Sequence, residues 1–205
     1  MEQTLRTTIA SYDLTAVDYA EKTLKIDTGA QVAKFSSYLN PNALILDAGC
    51  GPGRDAKRFT DLGHNVVGID LSTALLRIAQ KQAPDADFLT MDLLHLYFPQ
   101  AHFDGVWAMS SLMHLHKEEL PRALFECHRV LKAGAPFYLS LKRGEGEGIE
   151  FDKRYGVEKY FAYYSDEDVR RLIAATSFET LAVSSTTIDT SYATNPWMDI
   201  YLRKK

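Results

Sequence analysis

Asp47, Gly49, Gly51 and Gly53 stand at alternate positions in the stretch ILDAGCGPG, residues 45–53. The apolar residues ahead of Asp47 read as a buried strand, so a carboxylate closes the strand and glycines follow it. Glycine lets the backbone turn sharply and approach a ligand without Cβ collisions. A plain strand-to-helix turn needs one such residue, and this run marks a place where a ligand touches main chain. There is no Gly-Lys-Ser/Thr of a phosphate loop. The third glycine comes one residue too early for the dinucleotide fingerprint, and Arg54 stands where that glycine belongs. An aspartate leading the loop repels a pyrophosphate but accepts a hydrogen bond from an ammonium group. The pattern favours a cationic ligand.

Two further carboxylates end apolar runs: Asp70 in GIDLS and Asp92 in TMDLL. At the tips of neighbouring parallel strands they would stand beside the glycine loop. Asp70 can take both hydroxyls of a ribose there, each charge-assisted bond contributing about 1.5–3 kcal/mol. Asp92 can accept from an exocyclic amine while Leu93 covers a ring face. Helix capping is the plainer role for Asp92.

Such placement requires a parallel sheet, and the chain reads as one. ALILDAG (43–49), HNVVGID (64–70), ADFLTMD (86–92), FDGVWAM (103–109) and PFYLSLK (136–142) read as strands. Between them, RDAKRFTDLG (54–63) reads as a helix closed by Gly63, and Ser72 caps a helix over TALLRIAQKQA. Another helix is expected near 118–131, with Leu120, Leu124, Cys127 and Leu131 on one face and Pro121 in its first turn. Strand-helix alternation with near-continuous apolar strands predicts a parallel sheet covered on both faces. Two helices, about 15–26 and 29–39, should precede the first strand. After a helix over 165–176 capped by Ser165, runs at 178–189 and 196–205 joined by a short polar turn predict a closing hairpin. The expected fold is α/β: a doubly wound, seven-stranded, mostly parallel sheet of Rossmann-like form with a C-terminal antiparallel hairpin. One domain covers 1–205: a helical cap (1–40), a ligand-binding core (43–142), a lid (143–164) and a C-terminal helix with the hairpin (165–205).

Together these features resemble the class I S-adenosylmethionine-dependent methyltransferases over nearly the whole chain. LDAGCGPG matches the family's first motif, Asp70 its ribose acid and Asp92 its adenine-side motif. FDGVWAMSSLMHL and RVLKAGAPFYLS match the segments around the fourth and fifth strands. The chain is most similar to the small single-domain type 11 or type 12 group. The resemblance implies that Asp47, Gly49 and Gly51 hold the methionine moiety of S-adenosylmethionine, and that S-adenosylhomocysteine is the product. It puts Asp70 on the ribose, Asp92 and Leu93 on the adenine, and Met109 with Ser110 beyond the sulfonium. Tyr19 would close over the cofactor, and Arg54 and Leu71 complete the set.

The implied reaction is methyl transfer to a small-molecule acceptor. A hydroxyl acceptor would gain roughly 10²–10⁴-fold from a general base, whereas a neutral amine or thiolate needs none. His114, in SSLMHLHKEEL, is the best base candidate, although a loop histidine packing the next helix is the blander role. The segment 142–164 is too long for a simple connection. Gly144, Gly146 and Gly148 suggest a mobile loop, and Tyr155, Tyr160, Phe161, Tyr163 and Tyr164 supply aromatic cover. Lys142, Arg143, Glu145, Tyr160 and His114 are the candidate acceptor contacts.

A formal net charge of −4 argues against nucleic acid or an anionic membrane as partner. No apolar run approaches the ~18 residues of a membrane span. The chain starts without a signal-peptide pattern, and Cys50 and Cys127 do not form a metal set. A cytoplasmic, metal-free protein is expected. Two other readings compete. A nicotinamide oxidoreductase is opposed by Asp47, the early third glycine and the closing hairpin. A non-catalytic S-adenosylmethionine-binding regulatory or partner module keeps every feature and lacks only an acceptor.

Overall fold

A computed structural model describes residues 2–186 and 196–205. Helices α1 (Glu2–Leu14), α2 (Ala16–Thr23) and α3 (Gly29–Ser36) come first. The core follows as β1 (Leu44–Ala48), α4 (Arg54–Asp61), β2 (Asn65–Asp70), α5 (Thr73–Gln82), β3 (Asp87–Thr90), β4 (Gly105–Ala108), α6 (Leu120–Val130) and β5 (Pro136–Arg143). The chain ends with β6 (Glu147–Asp152), β7 (Val157–Tyr164), α7 (Asp166–Ala174), β8 (Phe178–Thr186) and β9 (Trp197–Lys204).

Strands β3, β2, β1, β4 and β5 lie side by side in that order, all parallel. The chain winds outward from β1 to β3, then crosses back to β4. The crevice between β1 and β4 is therefore the switch point where doubly wound sheets take their ligands. On the far edge β9 runs antiparallel to β5 from Pro136 to Lys142, and β8 pairs antiparallel with β9. The expected closing hairpin is present. Its polar turn falls outside the described residues.

Alternation along the strands fills both faces. Phe137, Leu139 and Leu141 of β5 pack on Leu120, Ala123, Leu124 and Cys127 of α6. Tyr138 points the other way, stacked on Trp107 at 3.9 Å beside Phe35 of α3 and Phe59 of α4. Each such fully buried side chain contributes about 1.5–3 kcal/mol. The helix ends follow their sequence signals: Ser72 Oγ accepts from Leu75 N–H, and Ser165 with Asp168 forms a capping box. Among the described residues no helix is long and apolar enough to cross a membrane.

Three features differ from expectation. The cap has a further helix, α1, whose sequence EQTLRTTIASYDL shows little helical patterning because two of its polar residues serve tertiary bonds. Thr8 Oγ1 accepts from Tyr160 N–H at 2.9 Å, and Ser11 Oγ donates to Glu158 O at 2.5 Å, so α1 is tied to β7. The expected mobile loop is instead the antiparallel hairpin β6–β7, paired from Glu147↔Ala162 to Asp152↔Val157. Among the described residues the sheet accordingly has nine strands, where seven were expected. β4 pairs with β5 only at residues 137–139, and β7 takes the free edge beyond it at Lys142 and Arg143. The hairpin thus hangs over the switch point.

Candidate active site

The carboxyl ends of β1, β2 and β4, the cap helices and the β6–β7 hairpin enclose a cavity of about 470 Å³. Asp47, inside β1, is buried, and its Oδ2 has no hydrogen-bond partner among the described residues. Burial, then the neighbouring Asp55 carboxylate, pushes its pKa well above the usual range. A cationic donor would supply both the bond and the charge that this oxygen lacks. The site fits an ammonium group.

Asp70 ties the two ligand loops together. Its Oδ2 accepts from Gly51 N–H and its Oδ1 from Ser72 N–H, both at 2.9 Å. Burial raises its pKa, and these backbone donors work against the rise. Each oxygen keeps a lone pair for a hydroxyl. The glycines divide the labour. A Cβ on Gly51 would meet only Tyr19 Cε1, at 3.9 Å, so the loop presents bare main chain to a ligand. Gly53, at φ +82°, serves packing: a Cβ there would stand 2.9 Å from Ala79 Cα of α5. Asp92 lies just past β3, its Oδ1 accepting from Leu94 N–H at 2.9 Å, and lines the cavity with Leu93.

Arg54 opens α4 and is fixed by its neighbour. Its Nε and Nη2 donate to Asp55 Oδ1 and Oδ2 at 2.8 Å each, and Nη2 reaches Met109 Sδ at 2.9 Å. Asp55 also accepts from Thr28 Oγ1 at 2.6 Å and Trp107 Nε1 at 3.0 Å. Burial works to raise its pKa, but the Arg54 guanidinium and these bonds hold it below the carboxylate range. This buried anchor aims a guanidinium beside Asp47. Four donors account for one carboxylate.

The facing wall comes from α1 and β7. His114 Nδ1 lies 2.7 Å from the Tyr160 carbonyl, which can only accept, so the proton sits on Nδ1. Nε2 then accepts from Tyr12 Oη at 2.8 Å. Burial lowers the His114 pKa to about 4. Lys159 is buried, with Nζ 4.2 Å from the Tyr12 ring centre and 4.5 Å from that of Tyr155, and pairs with Asp152 at 3.4 Å. Arg154 grips the same Asp152 at 2.9 Å through Nε and Nη2. Lys142, at the end of β5, points its Nζ at the Phe161 ring, 3.6 Å from the centre.

Tyr19, Asp47, Gly49, Gly51, Arg54, Asp70, Leu71, Asp92, Leu93, Met109 and Ser110 all line the cavity, as do His114 and Lys142. Arg143, Glu145 and Tyr160 do not, and strand phase is the reason. Along β7, Lys159, Phe161 and Tyr163 face the cavity side, while Tyr160, Ala162 and Tyr164 join the core on the other face. Tyr160 Oη donates to Glu147 Oε2 at 2.5 Å instead. Arg143, one residue beyond Lys142, turns away to Asp166 at 2.7 Å and Ser185 at 2.9 Å. Glu145 is exposed in the turn between β5 and β6. Sequence reasoning missed Tyr12, Asp55 and Lys159. The signal for Asp55 was an acid directly after Arg54 in a helix's first turn; the others depend on tertiary placement.

Comparison with known proteins agrees with this geometry. Residues 45–134 match a family model described as a methyltransferase domain. Over 92 residues, 45% of this chain and 36% of the relative, the sequence is 38% identical to a malonyl-[acyl-carrier protein] O-methyltransferase of Pseudescherichia vulneris. The matched part spans less than half the length of such curated relatives. A SAM-dependent methyltransferase from Methanosarcina mazei superposes with a TM-score of 0.77 at 22% identity, covering 87% of this chain and 99% of that one. The 1,6-didemethyltoxoflavin-N1-methyltransferase of Burkholderia thailandensis, solved with S-adenosylhomocysteine, gives 0.73 at 21% identity, covering 96% and 88%. Residues 45–134 are thus similar to a methyltransferase domain, and the chain has the fold of the solved S-adenosylmethionine-dependent methyltransferases.

Proposed function

We propose that the protein transfers the methyl group of S-adenosylmethionine to a small molecule by in-line displacement. The observation that carries this reading is the unpartnered buried Oδ2 of Asp47, beside the Arg54 guanidinium and the Asp70 carboxylate in one cavity. An amino-acid ammonium suits Asp47, the paired carboxylate suits the remaining Arg54 donors, and two ribose hydroxyls suit Asp70. Bound S-adenosylmethionine supplies a methyl group already activated on a sulfonium. The protein's work is then to position the two reactants and exclude water, and such positioning contributes about 7–11 kcal/mol. The cap helices and hairpin close the cavity through the Thr8–Tyr160 and Ser11–Glu158 bonds.

His114 serves less directly than its place in the sequence suggests. Its bare Nε2 is engaged by Tyr12, so a proton leaving the acceptor reaches it through that hydroxyl. The names of the relatives, one acting on a malonyl carrier protein and another on 1,6-didemethyltoxoflavin, favour a small or carrier-linked acceptor. Binding calorimetry with S-adenosylmethionine, S-adenosylhomocysteine and NAD tests the cofactor; the first two should bind and NAD should not. A turnover assay over hydroxyl, amine, thiol and chalcogen acceptors tests catalysis. Binding without turnover on any of them would favour the non-catalytic module, and no binding would remove the proposal.

A further inference from the structure

We propose that Lys142 and the aromatic side chains around it form the acceptor's site, built for a single carboxylate carried on a flat apolar skeleton. This inference rests on the methyltransferase reading and names its substrate class.

Lys142 stands out among the cavity's charged groups because it is withdrawn from solvent, unlike the exposed Lys153. Lys159 and Arg154 share Asp152, and Arg54 holds Asp55. Lys142 is half-buried, yet among the described residues no hydrogen bond or ion pair reaches its ammonium. What surrounds it is aromatic: Phe161 at 3.6 Å, Tyr163 at 5.3 Å and Trp197 at 6.0 Å from Nζ to the ring centres. Ring faces offset part of the lost hydration of an ammonium, but they accept none of its three N–H bonds in the way an oxygen does. A half-buried cation without an acceptor calls for an anionic partner.

The surroundings limit that anion's charge and shape. Glu150 and Asp152 act on Lys142 from the same hairpin, and Glu150 is held there by Tyr163 Oη at 2.7 Å. Two carboxylates on the same wall oppose a dianion such as a phosphate monoester, and no guanidinium fork near Lys142 is left to grip one. Met113, Phe161 and Trp197 form a small apolar cluster of their own, with Tyr163 packed against it. Flat faces on this scale suit a ring or a conjugated chain. The amino-acid end of the cofactor has its own polar partners two strands away, at Asp47 and Arg54, so Lys142 is not needed there.

The test is calorimetry on the full chain saturated with S-adenosylhomocysteine, using benzoate, benzamide and phenyl phosphate as probes. Benzoate should bind at least tenfold more tightly than benzamide, and phenyl phosphate no better than benzamide. Lys142→Met should bring benzoate down to the benzamide level while changing S-adenosylhomocysteine affinity less than twofold. Lys142→Arg should keep the preference. Equal binding of benzoate and benzamide to the wild type, tightest binding of phenyl phosphate, or a preference that survives Lys142→Met would each overturn the inference. So would a parallel loss of S-adenosylhomocysteine affinity in Lys142→Met, which would assign Lys142 to the cofactor. If the wild type binds S-adenosylhomocysteine but not benzoate, only this inference falls; if it binds neither, the methyltransferase reading falls with it.

Discussion

On the β1–β3 side of the cavity the lining carries four carboxylates, Asp47, Asp55, Asp70 and Asp92, and a single guanidinium, that of Arg54. On the β5–β7 side, Lys142, Lys153 and Arg154 face Glu150 and Asp152, with buried Lys159 behind them. The two sides are also made differently. The acidic groups stand at strand tips or a helix start, and Asp70 is clamped by main-chain N–H groups. The basic groups are long side chains, and those of Lys142, Arg154 and Lys159 lie over aromatic rings. Main-chain geometry suits a ligand that never changes, and side chains on an added hairpin suit one that does. A cavity acidic at one side and basic at the other also orders two reactants of opposite charge before they meet.

Removing the clamp should have the largest effect. On the proposed assignment, Asp70→Ala loses the ribose acceptor as well as both loop tethers, and cofactor affinity should fall by about 3 kcal/mol, roughly a hundredfold, in calorimetry. Near-normal affinity would break the acidic side's assignment. Asp47→Asn should weaken the cofactor by about 2 kcal/mol, near thirtyfold. The same variant should melt higher than wild type at pH 7 without ligand. The sign follows from the raised pKa: ionising Asp47 opposes folding at neutral pH, and that opposition fades as pH falls toward its ordinary value of 3.8. A variant less stable than wild type at neutral pH would contradict this.

The basic side should respond to pH over a different range. Burial brings Lys142 down to about 8, with Glu150 and Asp152 opposing the shift and Arg154 and Lys159 adding to it. Benzoate affinity should therefore drop about fourfold between pH 7 and 8.5 as the ammonium is lost. In Lys142→Arg it should stay level, and an equal drop in that variant would point to Lys159 instead. His114 should matter least. With its pKa lowered to about 4 it stays neutral from pH 5 upward, so turnover should show no inflection between pH 5 and 7. An inflection near 6.5 that disappears in His114→Gln would show an unburied, titrating histidine.

The same division explains what the sequence disclosed. Asp47, Gly51 and Asp70 are legible because each sits at a fixed offset from an apolar run, and strand order alone brings the tips together. The β5–β7 side depends on phase. Reading Tyr160 where Phe161 belongs, or Arg143 beside Lys142, turns a side chain to the opposite face of the sheet. Gly144 and Gly146 mark the turn between two strands, and the short alternation of Ile149 and Phe151 along β6 was masked by the glycine and carboxylates on either side of them. Helix α1 escaped because Thr8 and Ser11 bond to β7, which no local pattern records. Asp55 owes its role to Thr28 and Trp107, both distant in sequence.

The most direct measurement is a crystal structure of the protein with S-adenosylhomocysteine bound. The expected result has the amino-acid nitrogen within hydrogen-bond reach of Asp47 Oδ2, both ribose hydroxyls on Asp70, and the sulfur turned toward Lys142 and Phe161. A nucleoside lying along the β6–β7 hairpin, with Asp47 Oδ2 still unpartnered, would contradict it.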